Sequence, residues 1–106
     1  MKMLINISNE KSSEWEKEKT NMFSDIIDID PPKIIPCMTP NQIKDLSWSY
    51  LMKVKDICKS DPDIVCIYSH SHRTFDFYIM QMAIFLGIEY VYYESKDDVF
   101  IRWVSY

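Results

Sequence analysis

The stretch IVCIYSHSHRTFDFYIMQMAIFLGIEYVYY, residues 64–93, decides the fold. Its opening apolar run, within Asp63–Tyr68, is typical of a buried central strand. Phe75–Leu86 is long and apolar enough for a helix, Gly87 is suited to ending that helix, and Ile88–Tyr93 is the next predicted strand. A strand, a helix and a strand in this order predict two parallel strands in an α/β domain.

The rest of the chain continues this alternation of strands and helices. The further predicted elements are a strand at Met3–Ser8, a helix from a Ser13–Glu16 capping box to about Phe23, a strand at Asp25–Ile29, a helix at Pro40–Cys58 after a Thr39–Gln42 capping box, and a strand at Val99–Tyr106. Ser95–Asp98 forms the turn of a C-terminal hairpin. The order predicts one domain, residues 1–106, with a Rossmann-like, mainly parallel sheet flanked by helices and an antiparallel hairpin at its edge.

The composition narrows the function classes. The 106 residues carry a net charge of −4, so we expect no general attraction to DNA. Gly87 is the only glycine, which excludes the glycine-rich phosphate loops of many nucleotide-binding proteins. The three cysteines lack zinc-site spacing, so reduced thiols and no metal or cofactor are expected. No apolar run has membrane-spanning length and no signal peptide is evident, so we expect a cytoplasmic protein without membrane contact.

Two polar loops are expected to meet at one edge of the sheet. One follows the first strand and contains Ser8, Asn9 and Ser12; the other, Ser69–Thr74, precedes the third helix. In an open parallel sheet, ligands bind beyond the carboxyl ends of the strands, where the strand order reverses. If the first and third strands are neighbours, both loops lie there and offer hydroxyls and free N–H groups beside helix N-termini, an arrangement suited to a phosphodiester.

The second loop carries the candidate catalytic residues. Both histidines of the chain, His70 and His72, and one of its two arginines, Arg73, lie in this loop. A guanidinium can hold a phosphate through two hydrogen bonds, and an imidazole can transfer protons near neutral pH. The hydroxyl residues of the loop are further ligand-binding candidates: Ser69, Ser71 and Thr74.

Simpler interpretations stay open for these residues. Ser71 or Thr74 could cap the third helix while the histidines are merely solvated. An H-x-H metal site lacks a carboxylate partner. Lys96 in the C-terminal hairpin could bind a phosphate and Tyr93 could stack on a base, although an ordinary hairpin tip explains both equally well. The tryptophans are interpreted as packing or interface residues: Trp15, Trp48 and Trp103.

The third helix is apolar on nearly every side, which indicates burial against more than one neighbour. In a domain of this size, that pattern favours a second subunit. Higher assembly through this helix and the C-terminal WVSY, residues 103–106, is a further option.

Several short segments together resemble one known family. They are LINISN (residues 4–9), SSEW (12–15), IIDIDPPKIIP (26–36), the long second helix, and the Thr74-Phe75 start of the third helix with its following Gly87-Ile88 strand. In this order they resemble the small stand-alone Rossmann-like proteins found beside type III CRISPR systems, which are related to CARF domains and grouped with the ring nucleases. The segment YESKDDVF (93–100) departs from the longer hairpin of that family, which leaves open whether a closing or catalytic group is present.

The resemblance implies a homodimer that binds a cyclic oligoadenylate, with cyclic tetra-adenylate as the expected ring. The ring would lie across the two-fold axis, since four identical nucleotides match that symmetry. The family's binding loops correspond here to Ser8 and Asn9 and to Ser69–Thr74, which are the loops that the residues indicate by themselves.

The function implied by the resemblance is to lower the concentration of this messenger. In the enzyme hypothesis, cleavage needs no metal: a ribose 2′-hydroxyl attacks its own phosphodiester. Arg73 would bind the phosphate, and His70 or His72 would assist proton transfer. Ser8 and Asn9 would fix the ribose-phosphate. One alternative is sequestration of the intact ring, with ligand-driven assembly; a second is a structural or partner-binding module.

Overall fold

A computed structural model describes residues 2–59 and 61–102. The elements are β1 (Met3–Ser8), α1 (Lys17–Thr20), β2 (Ile26–Ile29), α2 (Pro40–Cys58), β3 (Val65–His70), α3 (Arg73–Phe85), β4 (Glu89–Glu94) and β5 (Val99–Arg102). Short 3-10 turns at Ser12–Glu14 and Pro62–Ile64 precede α1 and β3. Within the described residues, no helix combines the length and apolarity needed to cross a membrane.

The five strands form one mixed sheet in the order β2-β1-β3-β4-β5. The first four strands are parallel, and β5 returns antiparallel beside β4. The predicted α/β fold with a C-terminal hairpin is therefore confirmed. From β1 the chain moves outward to β2 and then crosses back to β3, so the strand order reverses between β1 and β3.

Each face of the sheet has its own core. Helices α2 and α3 cover one face, where fully buried side chains include Leu51, Ile67 and Ile79. On the opposite face, Trp15 and Phe23 of the β1–β2 connection pack around the buried Phe100 of β5. The fold is thus a sheet with two long helices on one side and a thin aromatic layer on the other.

Helix α2 has its predicted bounds, and the glycine predicted to end α3 follows that helix. At the start of α2, Thr39 accepts from the Gln42 N–H (3.2 Å), and the Gln42 side chain accepts from the Thr39 N–H (2.8 Å). This capping box and the bounds Pro40–Cys58 are confirmed. Helix α3 ends at Phe85, one residue before the predicted Leu86, and Gly87 follows with a φ of +74° that suits a residue without a side chain. The Gly87 and Ile88 N–H groups bond back to the Ile84 and Ala83 carbonyls, satisfying the end of the helix.

The first helix differs from its prediction. The Ser13–Glu16 capping box does not form, because Trp15 and Glu16 adopt extended backbone angles that interrupt the helix at its first turn. Burial of Trp15 and Phe23 against β5 replaces the predicted amphipathic stripe, and the four-residue α1 buries none of its own residues.

Smaller differences concern the element ends. Strand β3 begins at Val65 instead of Asp63, because Pro62 starts a 3-10 turn whose Asp63 N–H is capped by the Asp61 carboxylate. Helix α3 begins at Arg73, two residues before the predicted start at Phe75. The part of the predicted last strand after Arg102 lies outside the described residues.

The ladder between β3 and β4 is short. Its pairs are Cys66 with Glu89 and Ile67 with Tyr90, although β3 continues to His70 and β4 to Glu94. The carboxyl ends of these two strands are therefore unpaired with each other, which leaves room between them at this edge of the sheet.

Candidate functional site

The two predicted loops do meet. Strands β1 and β3 are hydrogen-bonded neighbours along their whole length, and in the ladder Ser8 lies opposite His70. This pair sits at the carboxyl ends of both strands, where the strand order reverses. The expectation that these two loops meet at one edge of the sheet is confirmed, and this is the edge at which open parallel sheets bind ligands.

On the β1 side, the polar groups are bonded to one another. The Ser8 hydroxyl is buried and donates to the Asn6 side-chain oxygen (2.7 Å). The Asn6 amide, also buried, donates to the Glu10 carbonyl (2.8 Å) and to the Asp28 carboxylate (2.9 Å). Ser8 therefore holds the loop in shape, and of the two predicted binding residues Ser8 and Asn9 only Asn9 has an exposed side chain.

Ser12 is bonded to the neighbouring strand β2. Both its N–H (3.2 Å) and its hydroxyl (3.1 Å) donate to the Asp28 carboxylate. The expectation of a free N–H at this position is wrong, because Asp28 already supplies negative charge there. The four-residue α1 is also too short to act as an anion-binding helix terminus.

On the β3 side, Ser69 and Ser71 are bonded as well. The Tyr90 hydroxyl donates to the Ser69 carbonyl (3.2 Å) and lies 3.1 Å from the Ser69 hydroxyl, both buried. The Ser71 N–H donates to the Asp76 carboxylate (2.9 Å), with the Ser71 hydroxyl on the other carboxylate oxygen (3.4 Å). Asp76, in the first turn of α3, therefore fixes the loop. Its carboxylate occupies the Ser71 N–H, which was expected to be free to bind an anion.

The cap of α3 is His72. Its Nδ1 accepts from the Thr74 N–H (3.3 Å), so this nitrogen carries no proton while the cap is formed. The alternative that Ser71 or Thr74 caps the helix is wrong. His72 has a structural task that sequence reasoning did not assign to it, and the Thr74 N–H is not free for a ligand.

Three predicted site residues have cationic or imidazole groups that form no hydrogen bond or ion pair within the described part of the chain. His70, Arg73 and Lys96 are exposed, and among the described residues the Arg73 guanidinium and the Lys96 ammonium form no ion pair. Arg73 is the first residue of α3, and Lys96 lies in the β4–β5 turn. Of these three residues, only His70 lines the cavity described next.

A cavity of about 650 Å³ opens between the unpaired ends of β3 and β4. Its lining combines six aromatic side chains with four ionisable ones and a serine. They are Trp15, Tyr68, Tyr90, Tyr92, Tyr93 and Phe100, then Glu10, Lys19, His70 and Asp76, and Ser69. Sequence reasoning found Ser69 and His70 but missed most of the rest. The aromatic residues at the ends of β3 and β4 were the available signal.

The aromatic residues form a continuous wall centred on Phe100. Its ring centroid lies 5.1 Å from that of Tyr68, 5.3 Å from that of Trp15 and 5.7 Å from that of Tyr93. The rings of Tyr68 and His70 are within 10° of parallel, with centroids 6.3 Å apart. Trp15 thus packs in the core, as expected, and also borders the cavity.

The charges in the cavity are unevenly neutralised. The Lys19 ammonium lies 3.9 Å from the centroid of the Tyr93 ring and forms an ion pair with Asp98 (3.6 Å). Glu10 accepts from the Trp15 indole N–H (3.3 Å). Burial, and then the nearby Glu10, raises the pKa of Tyr68 to about 12, so this hydroxyl stays protonated at neutral pH. Acidic oxygens therefore outnumber unpaired cations on this lining.

Comparison with known proteins identifies no relative: no family model, no curated protein and no solved structure matches the chain. Among the described residues, no three histidine, cysteine or acidic side chains lie close enough together to hold a metal ion. The geometry of this edge of the sheet is therefore the basis of the proposed function.

Proposed function

We propose that this protein binds a cyclic oligoadenylate as a homodimer and lowers its concentration by cleaving the ring. The observation that carries the proposal is the aromatic cavity at the carboxyl edge of β3, next to the reversal of strand order between β1 and β3. Its 650 Å³ lies within the range of small-molecule sites, and its aromatic walls suit nucleobases, which stack on such side chains.

The exposed cations supply contacts for the phosphates of the ring. Arg73 projects from the first turn of the thirteen-residue α3, where the helix dipole also favours negative charge. Its guanidinium has no carboxylate partner among the described residues, so binding a phosphate breaks no existing ion pair. Lys96 is a second exposed cation near the carboxyl end of β4.

A second copy of the chain is the proposed partner. Phe77, Ile84 and Phe85 of α3 are exposed, with Phe85 80% accessible, which supports burial of this helix against another subunit. Two copies would bring two cavities and two Arg73 residues to one ring. A ring of four nucleotides matches that symmetry, which favours cyclic tetra-adenylate.

The proposed cleavage needs one proton acceptor and one phosphate ligand. The ribose 2′-oxygen attacks the adjacent phosphorus, the bond from phosphorus to the 5′-oxygen breaks, and the products are a 2′,3′-cyclic phosphate and a 5′-hydroxyl. His70 accepts the 2′-hydroxyl proton, and a water molecule donates a proton to the leaving 5′-oxygen; His70 then returns its proton to solvent. His70 is the better candidate than His72, because the cap of α3 engages Nδ1 of His72.

Sequestration of the intact ring is the second candidate function. It is favoured by the bonded state of both loops: the hydroxyls of Ser8, Ser12 and Ser69 and the N–H of Ser71 already have partners. No ready set of donors therefore surrounds a phosphate in the way that strong transition-state stabilisation requires. A protein with this arrangement can bind tightly and cut slowly or not at all.

The two functions are separated by incubating the protein with labelled cyclic tetra-adenylate, in excess and in deficit, with and without EDTA. Linear product beyond one equivalent per dimer supports cleavage, and tight retention of intact ring supports sequestration. If micromolar protein neither retains nor converts the ring, both proposals fail, and a structural or partner-binding role takes their place.

Arg73→Ala tests the proposed phosphate contact. Removing a charge-assisted contact is expected to weaken ring binding by about tenfold or more, without changing the free energy of unfolding. The matched control is Arg102→Ala, which removes the other arginine at the amino end of the sheet, where it pairs with Glu89 (3.4 Å). Equal ring affinity in the two variants would remove Arg73 from the site.

A further inference from the structure

We propose that the cavity between β3 and β4 binds the base of the nucleotide. It selects bases that carry an exocyclic amine over bases that carry a carbonyl at the same position. The inference rests on the proposed function, since it assigns the part of the nucleotide that enters. It concerns a cavity whose lining residues sequence reasoning largely missed, and it gives the acidic side chains of that lining a task.

The charge of the lining excludes the phosphate from the interior. Glu10 and Asp76 both border the cavity, and the one ammonium group there, Lys19, is already paired with Asp98. A phosphate inside would face two carboxylates and no free cation of the described lining. The uncharged base is the part of a nucleotide that fits, with its phosphate left toward exposed residues such as Arg73.

Two parallel rings provide the stacking surface. Tyr68 and His70 are alternate residues of β3, so their side chains project from the same face of the strand. Their centroids lie 6.3 Å apart with the planes 10° from parallel. The two nearly parallel rings therefore offer an aromatic surface on which a base can stack.

The polar groups of the cavity distinguish one base edge from another. Asp76 is an acceptor held in place by two hydrogen bonds from Ser71, at 2.9 and 3.4 Å. The Tyr68 hydroxyl forms no hydrogen bond within the described part of the chain and is a donor at neutral pH. Asp76 and Tyr68 border the same cavity and offer it an acceptor and a donor. This combination matches the amine and ring nitrogen of adenine, the pattern that asparagine and glutamine also read. A carbonyl in place of the amine would face the Asp76 carboxylate and be rejected.

Adenosine and inosine monophosphates are the probes for this selection, because the purine base of the first carries an exocyclic amine where the base of the second carries a carbonyl. Calorimetry on the purified protein is expected to show at least tenfold tighter binding of adenosine monophosphate than of inosine monophosphate. Asp76→Asn keeps an acceptor oxygen for the Ser71 N–H and replaces the other oxygen with a donor. This variant should lose the preference or reverse it. Asp45→Asn, an equal change of charge on the exposed surface of α2, should keep it.

The same variants are tested with cyclic tetra-adenylate, so that the two proposals fail separately. Asp76→Asn should weaken ring binding at least tenfold relative to Asp45→Asn, and Tyr68→Ala by about tenfold through lost stacking. Urea unfolding of each variant verifies that it folds. If the ring binds but Asp76→Asn binds it as tightly as Asp45→Asn, or if the two monophosphates bind equally, the base-selection inference is overturned and the proposed function stands. If the monophosphates discriminate as expected but the ring does not bind, the proposed function fails alone.

Discussion

Asn6→Ala should be among the most destabilising substitutions of a polar residue in this protein. The Asn6 side chain is completely buried between β1 and the loop that follows it. It accepts from the Ser8 hydroxyl (2.7 Å) and donates to the Glu10 carbonyl (2.8 Å) and the Asp28 carboxylate (2.9 Å). Alanine would leave all three partners without this bond.

The expected loss follows from the character of each bond. The two bonds between neutral groups contribute roughly 1 kcal/mol each, and the bond to the Asp28 carboxylate about 1.5–3 kcal/mol. Asp28 is exposed, so water replaces part of that bond in the variant. We therefore expect the free energy of unfolding to fall by about 2–4 kcal/mol, a large part of the stability of a small domain.

Urea denaturation followed by far-ultraviolet circular dichroism measures this change. Asn9→Ala is the matched control, because Asn9 is exposed, is the same residue type and lies three positions further on. It should change the free energy of unfolding by less than about 0.5 kcal/mol. A loss of less than 1 kcal/mol for Asn6→Ala, or equal losses for both variants, would refute the assignment of Asn6 as the residue that organises this loop.

Three further predictions concern single positions. Gly87→Ala should lower the free energy of unfolding by about 1 kcal/mol through backbone strain alone, since φ is +74° and the added methyl group meets no atom within 4 Å. Thermal unfolding measures this loss, and an unchanged stability would contradict the strain. His72→Ala should cost about 1 kcal/mol through loss of the α3 cap, and His72→Ser should restore most of it; equal stability of the two variants would show that the cap is dispensable. Burial raises the pKa of Tyr68 to about 12, and the hydrogen bond from the Tyr93 hydroxyl to Asp98 raises the pKa of Tyr93 to about 12. The contribution of both protonated tyrosines to the free energy of unfolding is therefore full below pH 10 and is lost as the pH rises towards 12. Phenolate absorbance and unfolding measured across that range test this, and normal ionisation near pH 10 in the folded protein would contradict it.

Much of the fold could be predicted because its signals are local. The Thr39–Gln42 capping box, the long apolar pattern of α2 and the helix-ending Gly87 each act within a few residues, and the structure follows them. The alternation of strands and helices predicted a mainly parallel sheet, whereas the neighbouring placement of β1 and β3 was a condition that the structure meets. The failure at α1 has the opposite cause. Trp15 and Phe23 bury themselves against Phe100, more than seventy residues away, and that contact overrides the local capping pattern.

The candidate site could be located but not described in detail. On the condition that β1 and β3 are neighbours, the sequence indicated which loops converge, and these loops do converge at Ser8 and His70. Whether their polar groups are free depends on partners distant in sequence, such as Asp28 for Ser12. The cavity escaped prediction for a related reason. Tyr68 and Tyr93 border a common space only because the β3–β4 ladder ends early, and the residues themselves carry no local signal for that end.

The lining of the cavity comes from three well-separated parts of the chain: residues 10–19, 68–76 and 90–100. A molecule seated there would bridge them and would have to be released before the domain could unfold. Any true occupant should therefore raise the melting temperature, by an amount that grows with the logarithm of its concentration above the dissociation constant. Melting curves recorded against a collection of nucleosides, nucleotides and other aromatic metabolites can thus identify the natural occupant without an assumption about what the protein does to it.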